Sequence, residues 1–474
     1  MEASRLNASF RDPSGFVFTH EGTLYRQINS CYSEQFDAFV ASGLYERLVK
    51  KNYLVAHRML DAEEANQIAD LTAKNERHAL LEPEALPYIS YPFEWSFSQL
   101  KDAAMLTLRI HLMALNKGFV LKDASAYNVQ FHQGRAIFID TLSFEPYTED
   151  QPWVAYKQFC QHFLAPLALM AHCGIEMGKL LTSYIDGIPL DLTSKLLPKT
   201  SRLNFSLMAH IHAHARLQRN HADSAAQSSK GVADTTLSLR AQKALIESLG
   251  KAVDKLEWRQ PNTEWGDYYN NTNYTSESAS QKRELVSEFL QAIPVSLNVV
   301  QDLGANRGEF SRVAAKHATL VISQDIDPVA VEQNYQQVKQ AKETGILPLL
   351  QDLFAPSPAI GWANEERDSF MQRGQCSAVM ALALIHHLAI SNNVPLGHIA
   401  ALFAKLGEWL VIEFVPKVDS QVERLLATRD DIFPDYTEMG FEAAFSELYE
   451  TRRKQRVGTS ERTLYLLQRK QQNS

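Results

Sequence analysis

Leu297-Asn-Val-Val-Gln-Asp-Leu-Gly-Ala-Asn-Arg-Gly308 is the stretch on which the fold turns. Its first five residues, 297–301, form a short apolar run of strand character that breaks at Gly304. Residues 307–317 continue as a helix with Phe310, Val313 and Ala314 on one face. Glycine permits a tight turn here, and its missing side chain lets a ligand approach the backbone. The helix beyond offers backbone amides without intrahelical partners. The same alternation repeats downstream. Leu320-Val-Ile-Ser-Gln324 is a second strand, and Asp327-Pro328 opens another helix with aspartate at the cap and proline in the first turn. Segments 346–351, 378–385 and 409–414 read as further buried strands. Strands alternating with helices predict an α/β fold with a mainly parallel sheet covered on both faces. Ligands of such sheets sit beyond the strand C-termini, where strand order reverses.

Acids occupy those ends. The first strand leads into Asp302, the second into Gln324-Asp325-Ile326-Asp327, and the third into Gln351-Asp352-Leu353. A carboxylate about twenty residues past the glycine turn can accept hydrogen bonds from both ribose hydroxyls of a nucleoside. An acid with an apolar neighbour, as in Asp352-Leu353, can meet an adenine amine and ring face. Three acids ending three successive strands point to a nucleoside site.

The set Asp302-x-Gly304-x-x-x-Gly308, the acid ending the second strand, the Asp352-Leu353 pair and Ala383-Leu-Ile-His-His-Leu388 resembles the class I S-adenosylmethionine (SAM)-dependent methyltransferases. The likeness covers roughly 200 residues, an ordinary domain size. It implies a Rossmann-like, mainly parallel seven-stranded sheet with helices on both faces. It also implies SAM as cofactor, with Asp302, Gly304, Ala305, Asn306 and Gly308 bordering its methionine part. Asp325 with Ile326 would hold the ribose, and Asp352 with Leu353 the adenine. Asn306 stands where the family's common pattern has its middle glycine, and asparagine tolerates left-handed backbone. A nicotinamide dehydrogenase would carry Gly-x-Gly-x-x-Gly, whereas this turn runs Gly304-Ala-Asn-Arg-Gly-Glu309. Methyl transfer can proceed by alignment, so no catalytic triad is expected. His386 and His387 are the candidate bases, or walls of the pocket. Glu413 and Lys417, flanking the fifth strand end, are candidate substrate contacts or the lip of the sheet. Trp265, Tyr268, Tyr269 and Tyr274 form an aromatic cluster before the first strand, either closing over the cofactor or packing in the core.

The amino-terminal half reads as α+β. Residues 15–28 suggest two strands around a turn at His20-Glu-Gly22, and 98–116 a helix carrying Leu100, Ala104, Leu108, Leu112 and Leu115. Lys122-Asp-Ala-Ser-Ala-Tyr-Asn128, a hairpin over 129–139 and then Asp140 resemble the catalytic segment of protein-kinase-like phosphotransferases. That resemblance implies magnesium and ATP on Asp123, Asn128 and Asp140. No glycine-rich phosphate loop accompanies it, and Arg26 is the basic residue available near the amino terminus. His210-Ile-His-Ala-His214 lies in a helical context, where alternate residues diverge, so no metal site is assigned. Phe93-Glu-Trp-Ser-Phe97 reads as a packing segment.

The whole chain has 474 residues, a formal net charge of −8 and 45% hydrophobic residues. That charge argues against a protein that coats polyanions. Cys31, Cys160, Cys173 and Cys376 lack metal spacing and read as reduced thiols. Residues 1–13 lack a signal-peptide core, and no run approaches the roughly 18 apolar residues of a membrane span. The expectation is a cytoplasmic enzyme without a membrane partner. Its domains are 1–220, a linker and connecting helix over 221–261 with a polar tract at 219–236, and 262–474. The expected function is methyl transfer, with the first domain recruiting or orienting the acceptor. A small molecule, carbohydrate, protein or RNA acceptor stays open, as does oligomeric state. The alternatives are a magnesium-dependent phosphotransferase with a regulatory SAM-binding domain, and a non-catalytic scaffold.

Overall fold

The structure is a computed structural model and describes residues 4–68, 76–216, 238–259, 276–427 and 429–471. The polar tract and the aromatic cluster of Trp265, Tyr268, Tyr269 and Tyr274 lie outside the described residues. The chain forms two compact units. One comprises Met1–Arg259 and Ala359–Arg367, the other Gln260–Pro358 and Asp368–Ser474.

In the first unit, strands β1 (Ser4–Arg5), β2 (Gly15–His20), β3 (Thr23–Asn29), β4 (His57–Met59) and β5 (Arg77–Pro83) form an antiparallel sheet of order β1-β2-β3-β5-β4. The β2–β3 hairpin closes through Glu21 and Gly22, both at positive φ, the conformation that matches strand twist in two-residue turns. Helix Phe97–Leu115 starts with a capping box between Ser96 and Gln99 and buries Leu100, Ala104, Leu108 and Leu115. Two hairpins follow, one pairing β6 (Phe119–Leu121) with β9 (Phe144–Pro146), the other β7 (Val129–His132) with β8 (Arg135–Phe138). Every residue of Phe93-Glu-Trp-Ser-Phe97 is buried, as a packing segment requires.

Helix Leu239–Asp254, in the expected connecting segment, falls within the bounds of this unit. Its apolar stripe of Ile246, Leu249 and Val253 is buried, and Lys101 donates to the Asp254 and Leu256 carbonyls at its end. The three histidines lie in a helical stretch as expected. His210 bonds Tyr156 and Ser248, and His212 bonds Ser194 and Ser201, so their polarity is spent on packing.

The second unit is built on seven strands: β10 (Leu297–Leu303), β11 (Ala318–Asp325), β12 (Ile346–Leu350), β13 (Cys376–Ala381), β14 (Gly407–Phe414), β15 (Tyr449–Arg456) and β16 (Thr463–Arg469). Their order is β12-β11-β10-β13-β14-β16-β15, parallel except for β16, which runs antiparallel to both β14 and β15. The parallel strands are continuous apolar runs because helices cover both faces. One face packs Phe403, Phe441 and Phe445 onto Val379, Leu410 and Ile412. The other packs Val286, Phe289 and Leu290 onto Val300, Met380 and Val411. From β10 the chain extends outward through β11 and β12, then returns to place β13 on the opposite side of β10. The strand order therefore reverses between β10 and β13.

Candidate cofactor site

A cavity of about 660 Å³ opens at the C-terminal ends of β10 to β13, at that reversal. Its size is in the usual range for a small-molecule pocket. Asp302, Gly304, Ala305, Asn306, Asp325, Ile326, Asp352, Leu353 and His387 line it. Nine of the residues expected from sequence therefore converge on one space.

The turn after β10 owes its shape to three positive-φ residues, Gly304 (74°), Asn306 (51°) and Gly308 (78°). Gly304 and Ala305 donate their amides to the Gln324 carbonyl at 2.9 and 2.8 Å, fastening the turn to the end of β11. A Cβ at Gly304 would come within 3.1 Å of Leu384, and one at Gly308 within 2.6 Å of Asn334. Asn306 adopts the left-handed conformation, and its side chain accepts from the Arg307 amide at 2.9 Å. That local bond explains how asparagine serves in place of glycine. Gly308 caps helix Glu309–Ala314 rather than lining the cavity.

Asp325 braces the turn from β11. Its two carboxylate oxygens accept from the Asn306 and Asp327 amides, each at 2.8 Å. A carboxylate has about four acceptor positions, and the Ile326 amide also contributes to this one, so part of its acceptor capacity remains for a ribose hydroxyl. Burial pushes Asp325 up to about 6, against the lowering effect of the Asp327 and Asn306 amides. Asp302 accepts from the Ser311 hydroxyl at 2.6 Å, and burial pushes it up to about 7 with a contribution from Asp325. Asp352 holds the loop after β12 by accepting from the Phe354 and Ala355 amides through a single oxygen. Ile326 and Phe354 line the cavity while 58% and 62% exposed. Apolar side chains so exposed beside a cavity suit a flat aromatic ligand. An acceptor for a ribose hydroxyl, an acid for an amine and apolar faces for a ring fit an adenosine moiety.

Ala383 takes positive φ after β13 and starts the turn that carries the two histidines. They separate there. His387 lines the cavity, whereas His386 is fully buried away from it, and neither His386 ring nitrogen has a hydrogen-bond partner. Burial, then Arg462, brings His387 down to about 4, and burial with His387, Arg462 and Lys282 holds His386 well below an ordinary imidazole. Both rings are neutral near pH 7. His386, expected as a candidate base, is buried away from the cavity in this geometry.

Glu413 and Lys417 do not line the cavity. Glu413 is fully buried at the end of β14 and accepts from the Lys282 ammonium at 2.7 Å. Lys417 donates to both Asp431 oxygens and to the Phe433 carbonyl. Neither presents a group to a substrate at the cavity, because both charges are taken up internally. What the sequence reading missed is helix Ser276–Gln291, which brings Lys282 and Arg283 to the cavity wall. Glu309 and Phe310, at the start of the next helix, were also missed as cavity residues.

In the first unit, Asp123, Asn128 and Asp140 come together. Asp123 accepts from the Ser125 amide and bonds the Asn128 side chain, and burial raises its pKa. Asp140 is ion-paired with Arg26 of β3 and accepts from Ser143 and the Leu142 amide. Burial works to raise Asp140, but Arg26 and Ser143 outweigh it and leave it lowered. Two carboxylates and a carboxamide suit magnesium by donor type. Here the Arg26 guanidinium already supplies the cation on Asp140, and among the described residues no group of three His, Cys, Asp or Glu is placed to hold a metal ion. The arrangement does not fit a magnesium ion as it stands.

The seven-strand order with its reversal, the left-handed turn after β10 and the acids ending β10, β11 and β12 define a class I SAM-dependent methyltransferase fold in the second unit. The chain as a whole belongs to the family of the nodulation protein NoeA of Rhizobium meliloti (strain 1021). The two are 36% identical over 471 residues, which span 98% of this chain and 96% of that protein. No family model matches the sequence. Among solved structures, the N-methyltransferase NodS of Bradyrhizobium japonicum WM9 is 11% identical, with a TM-score of 0.30, covering 41% of this chain and 98% of that one. The magnesium protoporphyrin IX methyltransferase ChlM of Synechocystis PCC 6803, with bound SAH, is 17% identical, with a TM-score of 0.30, covering 44% and 93%. Among the described residues no helix is long and apolar enough to cross a membrane.

Proposed function

We propose that this chain is a SAM-dependent methyltransferase whose cofactor lies in the cavity over β10 to β13. The observation that carries the reading is one acid from each of three successive strand ends, Asp302, Asp325 and Asp352, on the wall of a single cavity. Asp325 would take the ribose hydroxyls on its remaining acceptor positions. Asp352 would take the adenine amine, between Ile326 and Phe354. Bound SAM supplies a sulfonium that releases its methyl group to a nucleophile aligned with it. The protein's part is to hold the acceptor in line and exclude water. His387, neutral and on the cavity wall, accepts a hydrogen bond from the acceptor and orients it, which requires no stronger base. The first unit recruits or orients the acceptor.

Calorimetric titration of S-adenosylhomocysteine into the intact chain tests this reading. Binding of micromolar strength, about −8 kcal/mol, should be lost in Asp325→Ala. Absence of binding to the unaltered chain would sink it. The alternative is a phosphotransferase with a regulatory SAM-binding unit, suggested by the convergence of Asp123, Asn128 and Asp140. Magnesium-dependent ATP turnover lost in Asp123→Ala would favour it, and the Arg26–Asp140 pair weighs against it.

A further inference from the structure

Tyr127, His162 and Arg367 are neighbours in the first unit, and each carries a buried polar atom without a partner among the described residues: the Tyr127 hydroxyl, His162 Nδ1 and Arg367 Nε. They come from separate parts of the chain. Tyr127 stands in the helical turn Ala126–Asn128 and His162 in the wide helical turn Cys160–Leu164. Arg367 ends the segment Ala359–Arg367, which lies between β12 and β13 in sequence but belongs to the first unit. The His162 ring meets the Tyr127 ring edge-on, with centroids 6.2 Å apart, and the Arg367 guanidinium lies over the Tyr127 ring at 4.6 Å. Tyr127 is 8% exposed and His162 2%. Roughly nine in ten buried polar groups are hydrogen-bonded. Orphans on three side chains around one ring are therefore unusual.

Packing explains only part of this arrangement. The face of the Tyr127 ring attracts a guanidinium, which places Arg367 but uses neither its Nε nor the phenol. Charge is left over as well. Both Glu366 oxygens are taken by Arg11 at 2.8 Å, and one also accepts from the Trp362 amide. Arg367 comes no nearer than 3.9 Å to Glu366 and donates to the Ala8 carbonyl at 3.3 Å. Glu94, the other acid near Tyr127, holds the Tyr91 amide at 2.8 Å. Burial, then Arg367, takes His162 down to about 3, so its ring is neutral and donates from whichever nitrogen holds the proton. The Arg367 side chain is 18% exposed, so solvent reaches the cluster on that side.

We propose that Tyr127, His162 and Arg367 form a binding site for a compact oxyanion, the carboxylate or phosphate group of a small ligand. Arg367 supplies the charge and its Nε–H, and the phenol and imidazole donate to the remaining oxygens. Charge-assisted bonds of this kind are the strong ones. A cation is excluded by Arg367 itself. The site is independent of the methyltransferase reading, since all three residues lie in the first unit.

NMR of the full chain with isotope-labelled histidine rings tests the proposal. Inorganic phosphate and acetate are titrated separately at constant pH and ionic strength. The His162 resonance, identified by its loss in His162→Gln, should shift and saturate with at least one of the two ions, which also tells phosphate from carboxylate. Arg367→Met should weaken that response by about tenfold or more. Tyr127→Phe keeps the ring under the guanidinium and removes only the hydroxyl, and it should weaken the response in the same direction. The resonance of His111, fully buried in the same unit, should stay in place throughout, which shows that the variants are folded. No saturable shift of His162 with either ion overturns the proposal. A response of undiminished strength in both Arg367→Met and Tyr127→Phe overturns it equally.

Discussion

Asp325 sits at the crossing of structure and chemistry, because the carboxylate that braces the turn is also the one proposed to hold a ribose. Burial raises it to about 6, and Asp302 beside it to about 7. The two groups interact, so the observable titration belongs to the pair. Ribose hydroxyls donate to an ionised carboxylate, and a protonated one must first give up its proton. Affinity for S-adenosylhomocysteine should therefore be flat above about pH 7 and fall, by up to about tenfold per pH unit, below about pH 6. Titrations from about pH 8 down to about pH 5 check this. An affinity constant over that range would mean that binding is not linked to a carboxylate titrating near 6 to 7. The stability of the free protein should follow the opposite trend. Folded-state values raised above the unfolded ones give a contribution fully present below the unfolded value of about 4 and lost as pH rises from there through the folded values of about 6 and 7. Residue by residue, the acids were legible because they follow apolar strands at fixed places. The roles of His386 and Glu413 were not. Whether a polar group faces a cavity or a core partner depends on the helices packed behind it, and sequence spacing does not record that.

Among the elements, helix Ser276–Gln291 joins the sheet to the cavity through a buried ion pair, Lys282 with Glu413 on β14. Removing one partner strands the other in a dry site. Lys282→Met should destabilise the second unit by about 3–5 kcal/mol, whereas Lys282→Met with Glu413→Leu should recover most of that loss. Denaturant unfolding of the three proteins measures it. Equal stability of the single and double variants would show that the pair is not coupled as its geometry indicates. The parallel strands were readable from sequence because burial on both faces leaves unbroken apolar runs. β15 was not, since its residues after Tyr449 are exposed and rich in charge, Glu-Thr-Arg-Arg-Lys-Gln-Arg. That composition suits an edge strand protected from further pairing, but without β16 beside it the segment looks like a polar loop. Helix Ser276–Gln291 escaped notice for a related reason. Lysine and arginine in a helical run look solvated, although Lys282 is buried by a carboxylate 131 positions away.

At the scale of the whole molecule, likeness to the NoeA family spans 98% of the chain and so includes both units. The first unit is part of what defines the family. Each unit has its own hydrophobic clusters: Phe16, Phe18 and Leu80, with Ile28, Phe36 and Leu81, in the first, and the two faces of the seven-stranded sheet in the second. Separate cores give separate cooperative transitions. Differential scanning calorimetry of the full chain should resolve two. If S-adenosylhomocysteine takes the proposed cavity, it should stabilise that unit alone, by about 2.7 kcal/mol at a hundredfold excess over its Kd. The shifted transition should be the one weakened by Lys282→Met, because that pair and the cofactor cavity lie in the same unit. A shift confined to the other transition would place the ligand in the first unit and overturn the assignment of the cavity. Equal shifts of both would mean that the first unit unfolds only when the second does, and recruitment of an acceptor would then have to act through a coupled pair of folds.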